Sequence, residues 1–171
     1  MHKLRHAPGD PEEGLRAALE AMTGPGPVYV LGLGYADKAD DGAGVLVAET
    51  LKKTFPGFSY SEHDGVEGTV LDISEKDGTA TVFFVDGTDI GSPPGTVLVV
   101  PRQDIKETEV STHRVAVALM ASVLERSGKR SAVVCIQVKS LEFREAISPE
   151  VSAASDRLVR AFAGIMSVRN G

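Results

Sequence analysis

The chain has a single cysteine, Cys135, so it can close no internal disulfide and build no thiolate zinc cluster. An intracellular, reducing setting fits that usage. Basic charge is also in short supply: 18 Lys and Arg stand against 24 Asp and Glu, for a formal net charge of -6. Nucleic-acid binding needs a basic face that displaces counterions from phosphates, and this balance argues against one. No apolar run approaches the roughly 20 residues needed to cross a bilayer. Lys3 and Arg5 are not followed by a long apolar stretch, so no signal peptide is expected. The expectation is a soluble, cytoplasmic protein. There is no Gly-Lys-Ser/Thr triplet, which excludes a phosphate-binding P-loop, and no nucleophile elbow for Ser/His/Asp catalysis. Internal repeats and low-complexity tracts are absent too.

What is present is the composition of a folded globular chain, with 42% hydrophobic and 25% charged residues. Its 171 residues suit one domain, 1–171, with a sizeable core. Asp10, Pro11 and Glu13 read as a helix start with capping-box spacing, and Leu15, Ala18, Leu19 and Met22 then share one helical face. Gly24-Pro25-Gly26-Pro27 stops that helix. Val28 to Leu33 is a nearly unbroken apolar run, as expected of a buried parallel strand. Further strands are expected over Phe58 to His63, over Ala80 to Val85 ending at Asp86, over Thr96 to Val100 (antiparallel to its neighbour), and over Ser131 to Val138. Helices are expected over Gly44 to Thr54, Thr69 to Ser74, Thr112 to Arg126 and Pro149 to Val168. This alternation predicts an α/β fold: a three-layer αβα sandwich with a mostly parallel twisted sheet of about five strands flanked by helices.

In such a sheet, ligands bind beyond the carboxyl ends of the strands. Those ends carry Asp37, Asp40 and Asp41 after the first strand, Asp64 after the second and Asp86 after the third. His113 stands at the start of the helix before the last strand, and Gln137 near that strand's end. Gathered carboxylates are costly unless a cation, a proton or a basic partner offsets them. Two carboxylates and an imidazole suit a borderline divalent ion with open coordination positions. Each residue also has a simpler structural role: Asp40 as a helix cap, Asp86-Gly87 as the opening of a turn, His113 as a structural histidine. Gly32-Leu33-Gly34 begins like a dinucleotide fingerprint, but Asp37 replaces the third glycine and the following acids would repel a pyrophosphate. Cys135 lies in an apolar strand and reads as an inert buried thiol.

Three blocks carry a resemblance. Val30-Leu31-Gly32-Leu33-Gly34 with Asp40-Asp41-Gly42-Ala43-Gly44 and Val47-Ala48-Glu49 is the first, and Phe84-Val85-Asp86-Gly87-Thr88-Asp89-Ile90-Gly91 with Pro94-Gly95 the second. Ser111-Thr112-His113 is the third, followed by Ile136-Gln137. In order and spacing these resemble the nickel–iron hydrogenase maturation endopeptidases, from about Val28 to the closing helix; residues 1–26 form a helical extension outside that shared core. The resemblance implies an aspartic-type hydrolase that makes one cut, removing a C-terminal extension from the precursor of the hydrogenase large subunit after nickel insertion. It also implies that Asp41, Asp86 and His113 are the metal-binding and catalytic positions. The nickel would be supplied by the substrate, with other divalent metals possible in vitro, and no membrane insertion is implied. Tyr35 stands where the family usually has Asn, Val66 where it has a small residue, and Val138 where it has Pro. Tyr35 motivates the alternative of a non-cleaving nickel- or precursor-binding homologue acting as an assembly factor. An unrelated zinc hydrolase on a similar frame is the third reading.

Overall fold

A computed structural model describes residues 10–105 and 112–171, with main chain alone for residues 112–115. Asp10 caps the first helix, α1 (Pro11–Met22), its side chain accepting from the Glu12 N–H with Pro11 in the first turn. The glycine–proline punctuation then releases the chain into β1 (Val28–Gly32), buried along its whole length. A 3-10 turn (Ala39–Gly42) leads into α2 (Ala43–Lys52), followed by β2 (Ser59–Ser61) and α3 (Val66–Glu75). Next come β3 (Thr81–Thr88), β4 (Val97–Pro101), α4 (Thr112–Arg126), β5 (Arg130–Gln137) and α5 (Pro149–Arg169).

The five strands form one sheet in the order β2-β1-β3-β5-β4, parallel except for β4, which runs antiparallel to β5. Strand alternation divides the apolar side chains between two layers. On one face Val30, Phe83, Val85 and Val134 meet Leu19 of α1, Val47 and Leu51 of α2, and Leu158 and Phe162 of α5. On the other, Leu31, Val82 and Phe84 meet Val66 and Val70 of α3 and Val117 and Leu124 of α4. Phe83 and Phe162 meet edge to face with centroids 5.2 Å apart. This is the three-layer sandwich expected from the alternation of strands and helices. The α1 helix belongs to that packed body, since Leu19 is fully buried in it and Arg160 of α5 pairs with Glu12 at 2.9 Å.

Among the boundaries that differ from the sequence expectation, those of β3, β2 and α3 have a physical reason. The β3 strand continues through Asp86 and Gly87 to Thr88, because Gly87 and Thr88 still pair with Ile136 and Gln137 of β5. The Asp86-Gly87 step therefore opens no turn. The β2 strand is short because residues 62–64 wind into a 3-10 turn closed by a reciprocal Ser61–Asp64 capping box. The α3 helix begins at Val66, a turn before the expected Thr69, and Val66 is itself core.

The connectivity fixes where a ligand can sit. From β1 the chain crosses one face through α2 to reach β2; from β2 it crosses the other face through α3 to reach β3 on the far side of β1. The direction of travel reverses between β1 and β3, so a crevice opens beyond their carboxyl ends.

Candidate functional site at the carboxyl ends of β1 and β3

The glycines of the first two blocks let main chain approach main chain at that crevice. A methyl carbon added at Gly44 would lie 2.1 Å from the Val85 carbonyl oxygen, and one at Gly87 would lie 2.2 Å from that of Asp40. Gly34 has φ +114°, and a methyl carbon there would meet the Asp41 carbonyl oxygen at 1.9 Å. Any side chain at these positions would push the 3-10 turn off the strand ends. With glycine in place, the turn is clamped between β1 and β3, and Leu33 N–H donates to the Val85 carbonyl at 2.9 Å. Asp41 is thereby held beside the end of β1 and Asp86 beside the same turn from β3.

The two adjacent aspartates have different surroundings. Asp40 is fully buried. Its Oδ2 accepts from Lys139 N–H at 2.7 Å, Ser140 N–H at 3.0 Å and the Ser148 hydroxyl at 2.9 Å, and its Oδ1 accepts from Ser148 N–H at 2.7 Å. Burial pushes this carboxyl up, but the Ser148, Ser140 and Lys139 amides and the Ser148 hydroxyl outweigh it and hold it below the usual carboxylate range. Asp40 caps no helix of its own; it fastens the loop after β5 onto the turn. Asp41 is half-buried, and its Oδ2 accepts from the Tyr35 N–H at 3.1 Å. The loop carrying Asp41 is thus pinned through main chain at Tyr35, while the Tyr35 side chain is exposed.

Asp86 is buried at 8% exposure in the body of β3, paired in register with Cys135 of β5. Alternation with Val82 and Phe84 places it on the α3–α4 face of the sheet. The α4 helix, which delivers the chain to the start of β5, begins at that same carboxyl edge, so its second residue, His113, is on the edge where the two aspartates stand. The His113 side chain lies outside the described residues. Among the described residues, no three His, Cys, Asp or Glu side chains come together as a metal-holding group.

The remaining acids of the edge have other work. Asp64 is 2.5 Å from Lys52 Nζ and accepts from Ser61 N–H at 2.9 Å, and those two contacts lower its pKa. Asp89 is lowered first by the Gly91 N–H and then by the Gln137 side chain. Asp37 is exposed, its carbonyl accepting from Arg144 N–H at 2.9 Å. Gln137 is a buried organiser of the β3–β4 connection: its Oε1 accepts from Ile90 N–H at 2.7 Å and Ser92 N–H at 3.1 Å. Asp41, bonded to the Tyr35 N–H, and Asp86, buried in β3, stand on the same edge. The sequence could not show that Asp40 has partners 99 to 108 residues away. The signal that was available is the double aspartate itself, in which one acid has a role the other cannot share.

The family model for hydrogenase maturation proteases of the HycI type matches residues 65–165, more than half of the chain. The chain belongs to the hydrogenase maturation protease family. The matched span includes Asp86 and His113, and Asp41 precedes it. The [NiFe] hydrogenase maturation protease HycI from Thermococcus kodakarensis KOD1 superposes with a TM-score of 0.71 at 25% identity, covering 90% of this chain and 98% of its own. HycI from Escherichia coli, an endopeptidase, gives 0.64 at 22% identity over 78% of this chain and 87% of that one. The E. coli hydrogenase-maturating endopeptidase HybD gives 0.64 at 20% identity over 82% and 92%. The last two likenesses establish the fold of this maturation protease. No curated protein sequence matches the chain.

Proposed function

We propose that this maturation protease removes a C-terminal extension from the precursor of a nickel–iron hydrogenase large subunit, in the cytoplasm and after nickel has been inserted there. In this reading the nickel arrives with the substrate. Asp41, Asp86 and His113 offer it two carboxylate oxygens and one imidazole nitrogen, a donor set suited to a borderline divalent ion. The observation that carries the reading is the glycine-packed turn, which sets two aspartates from different parts of the chain at the switch point between β1 and β3. One orienting contact supports the role of Asp41: the Tyr35 N–H donates to Oδ2 at 3.1 Å, which fixes the direction of the carboxylate. Bound nickel would offset the mutual repulsion of the two acids and hold the scissile peptide beside them, so the chain's contribution is chiefly positioning. With Tyr35 in place the loop is still pinned to Asp41 through the Tyr35 N–H, and the family membership favours cleavage over a non-cleaving homologue.

The test is to incubate the protein with nickel-loaded precursor and weigh the products by mass spectrometry. Loss of one C-terminal peptide and the appearance of a single shortened large subunit are expected. An unchanged mass under conditions where the two proteins bind would reject cleavage and leave an assembly factor.

A further inference from the structure

Asp40 meets the crevice from three directions. It immediately precedes Asp41; its carbonyl oxygen rests against Gly87, the residue after Asp86; and its carboxylate is bound by Lys139, Ser140 and Ser148. Its own N–H also donates to the Ser140 carbonyl at 3.1 Å. A carboxylate with four short donors from a distant segment is fixed far more tightly than a surface cap. The segment that holds it returns the contact on the far side of the turn: Arg144 N–H donates to the Asp37 carbonyl, and Lys38 Nζ lies 5.5 Å from the centroid of the Phe143 ring. Asp37, Lys38 and Asp40 in the connection from β1 to α2 are thus all tied to one strap, the 139–148 segment between β5 and α5.

The geometry points to Asp40 as a positioning residue for the cleavage reaction, locking the 139–148 strap to the turn so that Asp41 is held at the right distance from Asp86. The kinetic part of this inference rests on the functional reading above; the structural part does not. Asp40 touches no substrate in this account and acts through the main chain of Asp41.

The test compares wild type with Asp40→Asn, which keeps the shape but turns an acceptor into a donor facing N–H groups. The Tyr35 amide, bonded to the Asp41 carboxylate, serves as the reporter by NMR shift and hydrogen exchange. Asp41→Asn supplies the signal of the weakened contact. The inference expects the Tyr35 amide of Asp40→Asn to move toward that signal and exchange faster, while the Val82 and Val134 amides of the central strands keep wild-type protection. With precursor, kcat is expected to fall by about 100-fold with KM nearly unchanged, as for a misplaced catalytic group. A Tyr35 amide unchanged while the Lys139 and Ser140 amides exchange faster would overturn the inference, leaving Asp40 as a loop anchor only. So would an unchanged kcat. If Asp40→Asn fails to fold, Ser148→Ala removes a single hydroxyl donor and is expected to shift the Tyr35 amide in the same direction by less; no shift there overturns the inference. Failure of the wild type to cut would instead sink the functional reading, and the amide arm would still decide the role of Asp40.

Discussion

Asp40 and Asp64 stand at the same edge of the sheet, and both carboxyls titrate below their usual range, yet they are held by different means. Asp64 is answered by a cation, Lys52, and by a local cap within its own turn. Asp40 is answered by neutral dipoles from a segment more than ninety residues away. A half-exposed ion pair is screened by salt and contributes little to stability or to anything distant. A buried carboxylate gripped by main-chain amides transmits position, because neither partner can move without leaving polar groups unsatisfied. The edge is therefore acidic for two reasons. One acid closes a local turn; the other fastens the 139–148 strap to the turn that carries Asp41.

The largest effect should come from the pair Asp41 and Asp86. Replacing Asp41 or Asp86 by Asn is expected to reduce precursor cleavage by about a thousandfold, the scale seen when a positioned electrostatic group is lost. The fold should remain intact, checked by circular dichroism beside the kinetics. Gross unfolding of either variant would show that its carboxylate belongs with Asp40 as a structural group. Next is Gly44→Ala, where the added carbon has no room against the Val85 carbonyl. It should destabilise by on the order of 2 kcal/mol in urea unfolding and cut activity as well, since the turn must lift off β3. Stability loss with full activity would mean that the turn's seating does not matter for the site.

Smaller still is Tyr35→Asn. Because the contact to Asp41 comes from the Tyr35 N–H, kcat is expected to stay within about twofold of wild type, even though the exposed ring is lost. A large gain in kcat would show that the side chain does obstruct the loop. The smallest effect belongs to Lys52→Ala, which should leave cleavage unchanged and lower stability only slightly, less so at high salt. Its pH dependence has a definite sign. The Asp64 carboxyl is lowered on folding, so the pair's contribution is present above the ordinary carboxylate range and is lost as pH falls through the lowered value. The difference in stability between wild type and Lys52→Ala should therefore shrink on acidification. A difference that grows in acid would contradict the assignment.

Much of this was legible in the chain. The apolar run from Val28 and the alternating helices give the layered fold directly, because burial on two faces leaves no other use for such strands. Asp41 and Asp86 could be nominated because strand ends are where α/β sheets bind ligands. Asp86 was expected at the end of its strand but lies inside β3, and the turn comes only with Asp89, whose carboxylate accepts from the Gly91 N–H at 3.0 Å. The true work of Asp40 and Gln137 was not legible, since each organises segments that only the fold brings near. Nor was the contact from the Tyr35 N–H to Asp41 legible, since main-chain bonds leave no mark in the residue pattern.

If these aspartates read a metal carried by the substrate, cleavage must depend on that metal and on Asp41. Nickel-loaded and nickel-free precursor should be offered side by side to wild type and to Asp41→Asn, with release of the C-terminal peptide followed over time. Wild type is expected to cut only the nickel-loaded form, and Asp41→Asn to cut neither. Equal cutting of both forms by the wild type, or undiminished cutting by Asp41→Asn, would contradict that dependence.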